Sequence, residues 1–572
     1  RCSRLSVRCS VFKDHRCRSN EKKHFRQIFK FVKFYFLLHR LADEARRLQK
    51  RGRICILLIY SEKSKYFSSL MKENSLSYQI SIPDLARREF VISLTIHEIK
   101  DHAPILLMMP SWTPGSYLIR DHAGSITSIS ATQGSHSIKI SKIAKNQFSL
   151  VSAGESPICV TYRISAVDDS VRRLWISHDF AFLTGAAAFL CPKGMEHQAS
   201  KLSFLLPFPA WRIATPLAAL ASHEENIANY EASSYDELID CPIMMGPSSS
   251  ILQASFPAGG AIHRISLFGC PHADITRLAK DIQKICQTEI SFWSRKQSAP
   301  FSSYDFLIAT ASNNWGGLEH RNSVAIAAPL SSLPFPYASA PKKYTELLAI
   351  IAHEYFHAWN VKRIKPASFL PYDLNCENYT SLLWFSEGFT EYYEEVLLWR
   401  ADLISKAELL ERISAFFLKV YSQPGHKFQS LSASSFDTWI KLYRPDDNSL
   451  NTGVSYYTKG ALAAFALDLK IRASSNGKSS LDQAMTYLWE KASGGILGLS
   501  ENAQEIIEAV AEASGKSLST ASSWIHDLCL DTKSIPWNSL LEEEGLHLEA
   551  SEKDFWRDTF GIQISQASIN CT

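Results

Sequence analysis

From about residue 71 to 257 apolar and polar positions mostly alternate. Phe90-Val91-Ile92-Ser93-Leu94-Thr95-Ile96 and Ile138-Lys139-Ile140 have the period of two that half-buried strands need. Turn clusters such as Thr113-Pro114-Gly115 and Gly154-Glu155-Ser156-Pro157 punctuate the region. The pattern predicts an all-β domain built as a sandwich-like pair of sheets. Near residue 272 the period lengthens. Ile275, Leu278, Ile282, Ile285 and Ile290 share one side of a helix predicted over 273–295. A buried strand over 304–309 and a Ser/Pro/Ala-rich loop over 328–341 follow, then a long helix over 344–361. Further helices are predicted over 379–400, 406–421, 459–472, 481–491 and 501–514.

The charge balance divides the chain. Of 61 Lys/Arg and 57 Asp/Glu, 19 and 5 respectively fall in residues 1–70, leaving 42 basic against 52 acidic residues. The overall +4 thus belongs to a basic arm, and the acidic body argues against a nucleic-acid partner. The arm lacks core-like periodicity and precedes the first methionine, Met71; it reads as artefactual or disordered. No apolar run reaches the roughly 20 residues of a membrane helix, so no integral membrane association is expected. Eight cysteines beyond the arm, Cys159 to Cys571, are scattered singly. That usage, with no signal peptide after Met71, points to the cytoplasm.

The segment His353-Glu354-Tyr355-Phe356-His357 carries the chemistry. Positions i and i+4 share a helix face, so both imidazoles can reach one ion, and Glu354 is placed to take a proton from water. Leu347, Leu348, Ile350 and Ile351 make the helix apolar. A catalytic zinc needs a third protein ligand. Glu377 has a familiar spacing but lies in a polar stretch, where an acid has a plain capping role. Glu387 lies within Leu382-Leu383-Trp384-Phe385-Ser386-Glu387-Gly388-Phe389, where a carboxylate is costly unless it meets a cation, and is favoured on that ground. Glu391 could orient a ligand histidine or be a solvated helix acid.

The run from His353 to Pro366 (His-Glu-Tyr-Phe-His-Ala-Trp-Asn-Val-Lys-Arg-Ile-Lys-Pro), with the run from Leu383 to Tyr393, resembles the glycyl aminopeptidase (M61) family of metallopeptidases. The segments 111–121, 235–242, 316–320 and 455–461 resemble it too, so the likeness spans about residues 75 to 545. It implies a gluzincin with one zinc per chain held by His353, His357 and Glu387. It also implies a thermolysin-like α+β catalytic domain related to the larger gluzincin aminopeptidases. The expected layout is an arm (1–70), an N-terminal all-β domain (71–257), the catalytic domain (258–400), a mainly helical domain completing the active site (401–545) and a tail (546–572) where a PDZ-like domain would start. In the larger relatives a glycine-containing strand lines the cleft and its glutamate grips the substrate's ammonium. By that likeness Gly316, Gly317 and Glu319 would bind substrate, and Tyr457, with Tyr456 beside it, would stabilise the oxyanion. The activity implied is removal of an N-terminal Gly or Ala from peptides with a free N-terminus, with Glu354 as general base. A zinc endopeptidase and a non-catalytic peptide-binding protein are the competing readings.

Overall fold

The computed structural model describes residues 75–99, 104–222, 224–310, 314–549 and 568–571. The basic arm lies outside them.

The N-terminal domain is built on an eight-stranded sheet. At its centre Leu76–Ser81 runs antiparallel to Glu89–Ile96, in the register Leu76 to Ile96, and parallel to Ser200–Leu205. Alternation in Glu89–Ile96 buries Phe90, Ile92, Leu94 and Ile96, so one face of the sheet packs on the core. Two four-stranded sheets accompany it, making three sheets where a pair was expected. The expected strand at 138–140 is split: Ile138 pairs with Ala131 in the large sheet, and Ile140 with Leu150 in a small one. Short helices at Gly185–Ala188 and Tyr235–Asp240 make the domain β-rich rather than all-β.

The site is carried by a five-stranded sheet in the order Ile251–Ala258, Ala261–Phe268, Ser303–Thr310, Ser323–Ala328, Gly316–Glu319. Its first strand pairs with its second from Ile251 to Phe268, so the architecture changes before residue 251 and not at 257. Alternation alone could not show this, because it continues unbroken across the boundary. Gly316–Glu319 is an edge strand, antiparallel to Ser323–Ala328. Helix Ile275–Trp293, capped by Asp274 accepting from the Arg277 amide, covers the sheet with buried Leu278, Ile282, Ile285 and Ile290.

Beyond it the chain is mainly helical: Lys343–Phe356, Phe389–Arg400, Lys406–Tyr421, Thr458–Ser475, Leu481–Ala492 and Gln504–Ser514. The first of these stops at Phe356 rather than 361. Ala358, Trp359 and Val361 are buried in a turn; their apolarity reports burial, not continued helix. The helix expected from 379 begins only after Leu383, with a π-helical turn at Trp384–Gly388. In the tail, Leu546–Glu549 pairs antiparallel with Ser568–Cys571. Among the described residues no helix is long and apolar enough to cross a membrane. The described thiols, Cys159, Cys191, Cys241, Cys270, Cys286, Cys376 and Cys529, are free.

Candidate active site

His353 lies in the last turn of helix Lys343–Phe356, and His357 forms its C-cap with helical dihedrals. Buried Leu347, Leu348, Ile351, Tyr355 and Phe356 anchor the helix and leave the two imidazoles facing the cleft, ring centroids 4.6 Å apart. Both Nε2 atoms meet the same oxygen: Glu387 Oε2 lies 3.5 Å from His353 and 3.2 Å from His357. One ligand atom from each of the three residues falls within 4.8 Å of the others. Glu377 is outside this group, half-buried in the loop before the π turn.

Burial disfavours every charge here, yet mutual attraction outweighs it. Both histidines are held above their usual range against Glu387, and the Glu387 carboxyl is held down to about 2 by them. Two imidazole nitrogens and one carboxylate oxygen are the donor set of a catalytic zinc, with a fourth position left for water or substrate. Glu354 Oε2 is buried without a hydrogen-bond partner and stands beside this set. The residues therefore fit the metal.

The outer ring nitrogens are committed elsewhere. His353 Nδ1 is 2.7 Å from Glu394 Oε2, and His357 Nδ1 is 2.7 Å from the Asn360 carbonyl. These bonds fix both rings with Nε2 toward Glu387. The orienting role considered for Glu391 thus falls to Glu394. Glu391 is nearby and half-buried, pushed up to about 7 by burial and by Glu394. Asn360 also donates from Nδ2 to the carbonyls of Phe385 and Ser386 (3.1 and 3.2 Å) and to Thr390 Oγ1 (3.2 Å). It ties the end of the histidine helix to the π turn that carries Glu387. Such single turns recur at functional sites because the extra residue re-aims a side chain.

Glu354 faces the edge strand. A Cβ on Gly317 would collide with its carboxyl group, so only glycine lets the strand pass this close. Burial, opposed by His353 and reinforced by Glu319, raises Glu354 to about 7. Glu319 is 5% exposed. Its Oε1 lies 3.8 Å from Lys362 Nζ, which is itself 3.5 Å from Asp240 Oδ1. Its Oε2 abuts Gly115 of the N-terminal domain, where a Cβ would sit 2.5 Å away. Gly115 has φ +92°, a conformation that glycine tolerates. Arg172, also from that domain, donates from Nη2 to the Gly317 carbonyl at 3.2 Å.

Tyr457 opens helix Thr458–Ser475 and stacks near His353, ring centroids 6.4 Å apart. Its hydroxyl is 3.3 Å from that of Tyr443. Tyr456 points away, fully buried, with its hydroxyl on Thr438. Burial, then Glu387, holds Tyr457 far above its usual range, so it stays a phenol and a donor.

The sequence assigned no role to Asn360, Glu394, Lys362, Gly115, Arg172 or Tyr443. Only two left a readable signal: Asn360 three residues past His357, and Glu394 two helical turns past Glu387.

Comparison with known proteins adds a second line. Residues 346–463 match the family model for M61 glycyl aminopeptidase, and residues 77–247 match the peptidase M61 N-terminal domain. The crystal structure of an aminopeptidase N family protein from Idiomarina loihiensis is similar at 33% identity and a TM-score of 0.77. The match covers 83% of this chain and 79% of that one. An M1 zinc metallopeptidase from Deinococcus radiodurans aligns at 11% identity and a TM-score of 0.48, over 81% of this chain and 94% of that one. The search of curated proteins found no match.

Proposed function

From its membership of the M61 glycyl aminopeptidase family, to which this metallo-aminopeptidase chain belongs, we propose that it removes an N-terminal glycine or alanine from peptides. One zinc would be held by His353, His357 and Glu387, in a thermolysin-like body formed by the five-stranded sheet and the histidine helix. The observation that carries the reading is that the strand bearing Glu319, the candidate amine anchor, passes Glu354 so closely at Gly317 that a Cβ there would meet its carboxyl group. A second ion is not expected beside the first, because the half-buried acids Glu391 and Glu394 draw on the same His353. The free thiols agree with a cytoplasmic enzyme.

When bound, zinc supplies Lewis-acid polarisation of the scissile carbonyl and lowers the pKa of water. The chain's own residues do the rest. Glu319 receives the substrate's ammonium in a charge-assisted pair and so sets the cut after the first residue. The edge strand, with glycine at 316 and 317, lets the peptide backbone lie close. Glu354 takes the proton of the attacking water and returns it to the leaving amine nitrogen. The Tyr457 hydroxyl donates to the oxyanion as it forms. Glu394 and Asn360 keep the imidazoles in one orientation throughout.

The test combines metal analysis with turnover of Gly- and Ala-anilides and of N-acetylated peptides. The expected result is one zinc per chain and cleavage of the free-amine substrates far faster than of the blocked ones. Cleavage of blocked peptides at similar rates would make the protein an endopeptidase, and no turnover by zinc-loaded protein would make it a binding protein.

A further inference from the structure

We propose that Arg172 receives the C-terminal carboxylate of short substrates, so that the preferred peptides are two or three residues long with a free C-terminus. The inference rests on the aminopeptidase reading above.

Arg172 reaches from the N-terminal domain to the edge strand. Its Nη2 is bonded to the Gly317 carbonyl, and its Nη1 lies where a Cβ on Gly316 would be 3.0 Å away. Among the described residues no carboxylate forms an ion pair with Arg172 or with neighbouring Arg120. Arg173 completes the group. It donates to the Arg120 carbonyl at 2.9 Å and lies 3.6 Å from Asp168. Among the described residues, the Ser116 hydroxyl, at 2.8 Å, is the only side-chain acceptor of Arg120. Among the described residues, Asp168 is thus the one carboxylate ion-paired with these three guanidinium groups. Burial, then Arg172 and Arg173, brings Arg120 down to about 10. Such a place is short of negative charge.

Its position along the strand decides what anion suits it. An extended peptide advances about 3.3 Å per residue. With its ammonium at Glu319, a peptide lying along the edge passes Gly317, where Glu354 stands, near its first carbonyl. Its second and third residues then lie at and beyond Gly316, beside Arg172. Because Arg172 already occupies the Gly317 carbonyl, it stands in the line of the edge and meets the end of a short chain. A guanidinium matches a carboxylate in shape and charge, two donors to two oxygens. A longer peptide would have to bend past it, and one ending in an amide offers it no charge.

The experiment compares kcat/KM for Ala-Ala, Ala-Ala amide and an Ala-anilide in zinc-loaded wild type, R172K and R172Q. Wild type is expected to favour the free acid over the amide by about tenfold or more. R172Q should lose that preference, R172K should keep part of it, and the anilide should fall no further than the amide. A purely structural role would slow all three substrates by one factor and leave the ratio unchanged. The proposal is overturned if wild type treats acid and amide alike, a result readable even if R172Q fails to fold. It is equally overturned if R172Q preserves the ratio. Failure of wild type to cleave any of the three would instead remove the aminopeptidase reading, and this inference with it.

Discussion

Gly388 and Gly460 meet backbone to backbone: a Cβ on Gly388 would lie 2.5 Å from Gly460 Cα, and one on Gly460 would lie 2.8 Å from Gly388 Cα. The contact presses the π turn carrying Glu387 against the start of the helix that presents Tyr457. Metal ligand and oxyanion donor are thereby placed by one packing event. G460A should overpack this contact, costing about 1–3 kcal/mol of stability. It should also lower kcat more than it raises KM, while zinc stays bound. Thermal unfolding, metal analysis and steady-state kinetics check it; unchanged kcat would detach Tyr457 from the chemistry.

Glu387→Gln should abolish zinc retention, whereas Glu377→Gln should keep it. The first side chain is 3% exposed between two imidazoles, while the second sits in a loop outside the cluster. Metal content after dialysis distinguishes them, and the opposite outcome would move the ligand role to Glu377.

Glu319→Ala should cut kcat/KM for free-amine substrates by about ten- to a hundredfold, the loss expected for a charge-assisted pair in a partly dry cleft. The slow cleavage of acetylated peptides should barely change, and zinc content should hold. Equal slowing of free and blocked substrates would end the amine-anchor role.

His122 gives a pH dependence with a definite sign. Its Nε2 lies 3.0 Å from the Thr113 hydroxyl, which donates to the Arg172 carbonyl at 3.2 Å. Burial, then Arg173 and Arg120, lowers the imidazole to about 3. The unfolded chain takes up the proton near pH 6.5 while the folded one does not, so stability falls as pH drops from 6.5 toward 3. Relative to pH 7, the loss from this group reaches about 2 kcal/mol at pH 5. Denaturant unfolding of wild type and H122Q at both pH values measures it. The gap between the two proteins should narrow by that amount on acidification, and a constant gap would refute the assignment.

The parts of the site that were legible in the sequence are those written within one helix. The i, i+4 histidines and Glu354 share a local repeat, and Glu387 stood out because an acid in an apolar run needs a partner. Gly115 and Lys362 were illegible because only tertiary packing brings them to Glu319, and Arg172 because only packing brings it to Gly317; nothing near Arg172 or Gly115 in the chain signals a neighbour 145 or 204 positions away. The helix end at Phe356 was missed for a related reason. Burial of Trp359 and Val361 in a turn produces the same apolar letters as a continuing helix. Strand Ile251–Ala258 alternates like the strands before it, yet it pairs with the sheet that follows, and period alone does not say with which neighbour a strand pairs.

The brevity of the edge strand has a consequence for the protein in a crowded solution. An open sheet edge is a standing invitation for strands of other chains to zip on and propagate. Here the edge offers four residues, begins with two glycines, ends at a buried carboxylate, and has the Gly317 carbonyl already taken by Arg172. That is room for a morsel of peptide to dock and too little for a foreign strand to take hold. The protein can thus keep an unpaired edge in its cleft without that edge becoming a seed for aggregation.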